Sequence, residues 1–231
     1  MKRPEPNNGK KLRIIVNGSD YERYPIKTPI IKKGDNIRKI IEELLLPYAK
    51  GEDYIFISEK IIAISQGRAF PIKDIHPSGL AKVLSKFVLK TPYGIGIGSP
   101  WTMQLAIQEV GYFRIFLGIF VSILTKPLGI RGMFYRVVGR KVSAIDGPCE
   151  YTLPPYNKYA KLAPKDPDKV AAKLAKELNH QVVIIDANDL GVEILGRSDK
   201  SISDNFAKAV FRDNPLGQTN EQTPLCIVRK I

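Results

Sequence analysis

Cysteine and histidine are scarce: the 231 residues hold two of each, Cys149 and Cys226, His76 and His180. They lie far apart with no CxxC pair, so neither a Cys/His zinc site nor a disulfide framework organises the chain. Cys226 stands in the apolar run Leu225-Cys226-Ile227-Val228, where a free thiol acts as a small hydrophobe, and this cysteine usage points to a reducing cytoplasm. The opening, Met1 to Pro6, is polar and has no apolar stretch of the kind a secretion signal needs. Long apolar runs are missing too. The most apolar segment, Ile115 to Thr125, is closed by Arg114 and Lys126 and would span only about 17 Å of the ~30 Å bilayer core. It is expected to be a buried helix, and no membrane partner is expected. GxGxxG and Walker A spacings are absent, and so are internal repeats.

Basic residues, by contrast, abound. Against 23 Asp+Glu stand 36 Lys+Arg, a net +13 at pH 7, and such a surplus concentrates anions such as nucleotides and polycarboxylates. Tyr151, Tyr156 and Tyr159 occur among Lys158 and Lys161, an interleaving that can stack and clamp nucleic acid. The neighbouring prolines read instead as an ordered loop, and nucleic acid is not the expected partner. At 44% hydrophobic residues the chain can build a sizeable core. It reads as one unit over 1–231 or as two interlocked subdomains divided within 94–140.

The pattern is α+β. Leu12 to Val16, the Asn17-Gly18 turn and Tyr21 to Ile26 predict a hairpin. Ile37, Ile40, Ile41, Leu44 and Leu45 recur at helical spacing over 36–46, with Asp35 as the expected N-cap. Tyr54 to Ile57 reads as a buried strand and Ile61 to Ile64 as a second apolar run. Pro77 to Lys90 is helical in spacing. Gly94 to Gly98 feeds a helix over 101–110, with Ser99 as cap and Pro100 at its first position; such a turn can cradle a phosphate or simply be tight. Tyr112 to Val138 suggests two buried pieces. Val142 to Pro148 reads as a strand delivering Asp146 into a turn. Asp166-Pro167 opens a helix that Asn179 stops, Gln181 to Ile185 is a strand ending at Asp186, and Asp204 to Phe211 is a helix. The loop Pro215 to Thr223 precedes a last strand, Pro224 to Arg229.

Asp146 and Asp186 each end an apolar strand just before a turn, which would hold a carboxylate on rigid scaffold at a sheet rim. Asn188 and Asp189 add oxygen ligands nearby. An all-oxygen set suits Mg²⁺ or Mn²⁺. The same Asp and Asn residues also suit a turn with no metal, because they bond their own backbone.

Several motifs then come together in order. Ile26-Lys27-Thr28-Pro29-Ile30-Ile31-Lys32-Lys33-Gly34-Asp35 and Ser58-Glu59-Lys60-Ile61-Ile62-Ala63-Ile64-Ser65-Gln66-Gly67-Arg68 resemble the opening of the coenzyme F(420)-0:L-glutamate ligase family. The resemblance continues in Ala144-Ile145-Asp146-Gly147, in Leu162 to Asp168, in the strand ending at Asp186 and in Leu216 to Pro224. It implies a cytoplasmic α+β homodimer that uses GTP, or ATP, with Mg²⁺ or Mn²⁺. The implied reaction adds glutamate or a related amino acid to an acidic small-molecule acceptor through an acyl phosphate. It also implies metal ligation by Asp146, Asp186 and Gln218, with the two aspartates catalytic; Asp189, from its place beside Asp186, is the extra ligand expected. Nucleotide contacts would come from Pro29, Ile30, Ile31, Lys32, Glu59, Lys60, Leu216, Gly217, Gln218 and Thr219. The chain departs from the family pattern at Ile64, where a cation is usual, at Cys149 and at Ala187. Those departures keep open an alternative, a non-catalytic nucleotide- or metabolite-binding paralogue on the same scaffold.

Overall fold

The computed structural model describes residues 3–88, 96–130, 132–150, 152–188 and 191–231. The chain divides into two units, Met1–Gly67 with Pro164–Ile231, and Arg68–Ala163. The first unit begins with β1 (Arg13–Val16), β2 (Ser19–Ile26), α1 (Ile37–Leu44), β3 (Tyr54–Ser58) and α2 (Glu59–Ser65). The second holds β4 (Ala69–Pro71), α3 (Gly79–Leu84), α4 (Pro100–Thr125), α5 (Met133–Val138), α6 (Arg140–Ser143) and β5 (Tyr159–Lys161). α7 (Pro167–Leu178), β6 (Gln181–Asn188), β7 (Gly191–Arg197), α8 (Asp204–Phe211) and β8 (Leu225–Lys230) complete the first. The mixture of helices and strands is the α+β class read from the sequence.

In the first unit, described strands form a six-stranded sheet of order β1-β2-β8-β3-β6-β7. Only β3 and β6 run parallel; the other neighbours are antiparallel. The β1–β2 hairpin forms as expected, because Asn17 and Gly18 both take the positive φ (52° and 76°) that a two-residue turn requires. Phe56, Val183, Ile185, Cys226 and Val228 point to one face of the sheet, where α8 supplies Ala207, Val210 and Phe211. Phe56 and Phe211 stack with centroids 4.4 Å apart. Their alternates Ile55, Ile57, Ile184 and Ile227 are fully buried as well, so the central strands are covered on both faces and read as unbroken apolar runs. Burial pushes the Cys226 thiol up to about 12, consistent with an inert packing role.

Several local expectations shift. Asn36, not Asp35, caps α1 by accepting from the Lys39 N–H, while Asp35 reaches back to the Lys32 N–H at 2.7 Å. Asp166 precedes α7 in the left-handed region and makes no side-chain cap bond. The run Ile61 to Ile64 is helical, forming the buried side of α2. β6 continues through Asp186 to Asn188 and pairs with β7, a strand the polar turn residues concealed.

The second unit packs Met103, Ile107, Ile115, Val142, Ile145 and Leu162 into a separate core. Ser99 and Thr102 form a reciprocal cap at the start of α4. Part of the glycine-rich turn before it, Gly94 and Ile95, lies outside the described residues. α4 runs well past the expected 101–110 and breaks at Gly111, whose φ of 79° and ψ of 160° interrupt the helix. Val142 to Pro148 is not a strand: Gly139, at φ 87°, admits the short helix α6, and Asp146 meets Lys161 through an isolated bridge. The buried helix expected over 115–125 is likewise corrected. Ile115 and Gly118 are buried, but Phe116, Leu117, Phe120, Ile123 and Leu124 are exposed. Apolarity records a preference for burial, and the six-residue α5 is too short to cover more than one face of its neighbour.

Candidate functional site

The parallel pair sets the geometry. β3 pairs with β6 so that Ser58 lies opposite Ile185, and the next residues are Glu59, which opens α2, and Asp186. The C-terminal ends of adjacent parallel strands are where α/β sheets bind ligands, since side chains there sit on rigid scaffold beside loops free to vary. Ser58 donates its N–H to the Pro224 carbonyl at 2.8 Å, which brings the end of the 215–224 loop to the same rim. That loop is tied to the segment after β2: the Thr28 N–H donates to the Gln222 carbonyl at 3.1 Å, and Gln222 Nε2 donates to the Thr28 carbonyl at 2.6 Å. Three segments expected to contact a nucleotide, 29–32, 59–60 and 216–219, are thus brought to one edge of the first unit.

Within this edge the residues differ in exposure. Pro29, Ile30 and Lys32 are exposed, Ile31 is buried, Glu59 is buried in the first turn of α2, and Lys60 is half-buried. Leu216 is buried, Gly217 and Gln218 are half-buried and Thr219 is exposed. The loop is internally ordered. Thr223 Oγ1 donates to the Leu216 carbonyl at 2.7 Å, Asn214 Nδ2 donates to the Gly217 carbonyl at 3.0 Å, and Glu221 accepts the Thr219 N–H at 2.8 Å. From the N-terminal segment Asn7 Nδ2 donates to the Pro215 carbonyl at 2.8 Å and to Thr223 Oγ1 at 2.7 Å. Gly217 carries φ 78°, and a Cβ there would lie 2.4 Å from the Glu221 carboxyl carbon, so this turn requires glycine.

Alternation along β6 separates the roles of neighbouring residues. Val183, Ile185 and Ala187 face the α8 core, so Asp186 and Asn188 face the opposite side of the sheet. Ala187 is therefore a packing position. Asp186 pairs directly with Glu193 of β7, so the two residues lie on the same face of the sheet. Glu193 was not singled out from the sequence; only the pairing with β7 reveals it. Asp189 lies outside the described residues.

Asp146 stands in the second unit. Its carboxylate is 3.4 Å from Lys161 Nζ, and the two residues exchange backbone hydrogen bonds of 3.0 and 2.8 Å. Lys161 is buried and also donates to the Ala144 carbonyl at 3.3 Å. Tyr156 and Tyr159 meet edge-on with centroids 5.0 Å apart. Both tyrosines are half-buried and Lys158 is exposed, while Lys161 is buried; Tyr151 lies outside the described residues. Cys149 is a half-buried free thiol.

Among the described residues, no three His, Cys, Asp or Glu side chains gather closely enough to hold a metal by themselves. The available donors are carboxylate and amide oxygens, which match a hard divalent cation that completes its shell with water or phosphate oxygens. A cavity of about 230 Å³ lined by Gly51, Asp53, Asn179 and His180 lies at the other, N-terminal ends of β3 and β6, away from this rim.

Fold and rim together define an α+β protein with polar groups gathered at the C-terminal ends of a parallel strand pair. The chain belongs to the F420-0:gamma-glutamyl ligase family, whose model matches residues 25–194. The match takes in Pro29 to Lys32, Glu59, Lys60, Asp146 and Asp186 and stops before the 216–219 loop. No curated protein matches the chain. Family membership implies a γ-glutamyl ligase activity of F420 biosynthesis.

Proposed function

We propose that the protein is a nucleotide- and divalent-metal-dependent γ-glutamyl ligase that joins glutamate, or a related amino acid, to an acidic small-molecule acceptor. The observation that supports this reading is the joining of the 28–32 segment to the 215–224 loop beside Glu59 and Asp186. In the first step a carboxylate oxygen of the acceptor attacks the terminal phosphorus of GTP or ATP. The bond to the bridging oxygen breaks, and an acyl phosphate and a nucleoside diphosphate form. In the second step the amino group of glutamate attacks the acyl carbon, loses a proton and releases inorganic phosphate.

Such chemistry depends on positioning and on neutralising charge rather than on a protein nucleophile. Lys32, Lys60 and the N–H groups of the Gly217 turn would hold the phosphates. Lys33 stands nearby, its stem lying against Gly67. In the first unit Asp186 and Gln218 would offer oxygens to Mg²⁺ or Mn²⁺. Such an ion, when bound, neutralises charge on the transferring phosphoryl group. The +13 surplus would draw in both the nucleotide and the acidic acceptor. A homodimer acting in the cytoplasm completes the proposal.

The test is a thermal-shift panel of GTP, ATP and GDP with and without Mn²⁺ or Mg²⁺, on the wild type and on Asp186→Ala, followed by phosphate release with glutamate and acidic acceptors. A ligand at a hundredfold excess over Kd stabilises the folded state by about 2.7 kcal/mol. The expected result is a metal-dependent shift lost in the variant and phosphate release that needs both acceptor and glutamate. Wild-type protein that gives no shift with any nucleotide refutes the proposal, and a shift without product under any acceptor favours the non-catalytic paralogue.

A further inference from the structure

The segment from Val110 to Ile145 contains no acidic residue, yet it holds Arg114, Lys126, Arg131, Arg136, Arg140 and Lys141. Within it the second half of α4 presents a row of exposed apolar side chains: Phe113 at 81%, Phe116 at 48%, Leu117 at 41%, Phe120 at 59% and Leu124 at 56%. The spacing i, i+3, i+4, i+7, i+11 puts them on one face. The opposite face is occupied, because Gly118 lets α5 approach until Phe134 and Val138 lie 3.0 Å from where a Cβ would stand. The turn beyond the helix is apolar as well, with Leu128 at 73% and Ile130 at 46% exposure. Turns that face water are normally polar, and monomeric soluble proteins seldom expose apolar patches this continuous.

We infer that this face docks on an anionic lipid bilayer, lying in its surface with Phe113, Phe120, Leu124 and Leu128 among the acyl chains and the exposed Lys126 and Arg136 at the headgroups. Charge selects this occupant. A second copy seated on the same face by a two-fold axis would set one wholly basic segment against another, whereas anionic headgroups complement it. Geometry selects lying over crossing. By length and composition Pro100–Leu128 could cross a bilayer, with mean hydropathy 1.6 and 17% of its most apolar window buried. Its first turns, however, are committed to the core of the second unit through Met103, Leu105, Ala106 and Ile107. The part beyond Gly111 is about 25 Å long, short of the ~30 Å core, and α5 covers one side of it. An apolar face flanked by Lys and Arg is the pattern of an interfacial helix. The expectation of no membrane partner rested on a buried 115–125 helix, and the exposed face removes that premise. The inference stands independently of the ligase reading.

The test is co-sedimentation of the full chain with phosphatidylcholine vesicles and with vesicles containing about one-third phosphatidylglycerol, at low and at physiological salt. Binding is expected to the anionic vesicles alone and to weaken with salt. Phe113→Gln/Phe120→Gln should lower the apparent partition coefficient about tenfold or more while the melting curve is unchanged, because both side chains are exposed. Lys126→Glu/Arg136→Glu should abolish the preference for anionic lipid. Failure of the wild type to bind anionic vesicles overturns the inference, as does equal, salt-independent binding to both compositions. Sedimentation equilibrium in lipid-free buffer reads the competing occupant. A wild-type dimer that Phe113→Gln/Phe120→Gln converts to monomer would assign the face to a second copy and overturn lipid docking.

Discussion

Replacing Arg23 with methionine tests how the candidate rim is anchored. Arg23 lies in β2 at 0% exposure. Its Nη1 donates to the Val210 carbonyl at 2.9 Å and to Asp213, and its Nη2 donates to Asp213 Oδ2 at 2.9 Å and to the Lys11 carbonyl. One side chain thus binds the N-terminal segment, the end of α8 and the residue just before Asn214, where the 215–224 loop begins. Methionine keeps most of the stem and removes every donor. Breaking a buried ion pair costs about 3–5 kcal/mol, because the remaining charge is stranded. Asp213 retains 34% side-chain exposure and regains some hydration, so the lower end applies, about 3 kcal/mol. A chain of this size loses about 2–4 °C of Tm per kcal/mol, so the melting temperature should fall by roughly 6–12 °C. Far-UV circular dichroism follows the whole chain, and Trp101, the single tryptophan, reports the second unit by fluorescence. Adding Asp213→Leu to Arg23→Met should recover part of the loss, because no charge is then left without its partner. A loss under about 1 kcal/mol in the single variant, or a double variant less stable than the single one, refutes the reasoning.

Gly217→Ala should cost about 1–2 kcal/mol for the left-handed backbone and displace Glu221 from the Thr219 N–H. The nucleotide-induced thermal shift should shrink with it, and an unchanged shift would remove this loop from the binding site. Acid should destabilise the first unit through two carboxyls. The Tyr24 hydroxyl and Arg13 hold Glu22 below its usual value against the effect of burial; for Asp213 burial pushes upward, but the hydrogen bonds and charge of Arg23 prevail and lower it. Both folded values lie below the unfolded ones, so their stabilisation is complete above about pH 4–5 and fades as pH falls through the folded values. Urea midpoints at pH 7, 5 and 3 should be level over the first interval and drop over the second; a level profile to pH 3 would show that neither carboxyl matters.

What was legible in the sequence was local. Asn17-Gly18 names its own turn, and the 3.6-residue spacing of α1 and α7 reflects a face that must be buried wherever the helix ends up. Caps were less secure, because Asp35 and Asn36 compete for one N-terminus and only the backbone at Asn36, with ψ 96°, settles which side chain reaches the free N–H. The pairing of Tyr54 with Gln181 was hidden, since the whole second unit and α7 intervene. Equally hidden was the bond from Gln222 to Thr28, which joins two loops 194 residues apart. The motifs therefore named candidate segments without showing that the first unit brings them to one rim. Glu193 had no signal of its own, because its relation to Asp186 exists only in the register of β6 with β7.

The positions at which the chain departs from the family pattern acquire a physical meaning from burial. Ile64 is 5% exposed in α2, among Ile61, Ile62 and Ala63, and Ala187 faces the α8 core. At 64 an apolar side chain takes the place of a cation, which in this buried position would need a partner, whereas Ala187 is half-buried against the α8 core. The charge given up at 64 must then be supplied by side chains that reach water. Lys32 is exposed on the segment tied to the loop, and Lys60 is half-buried in the first turn of α2. If the ligase reading holds, phosphate recognition in this chain rests on those two lysines more heavily than in a relative with a cation at 64. The loss of either should then weaken nucleotide binding more than the loss of any other single lysine in the first unit.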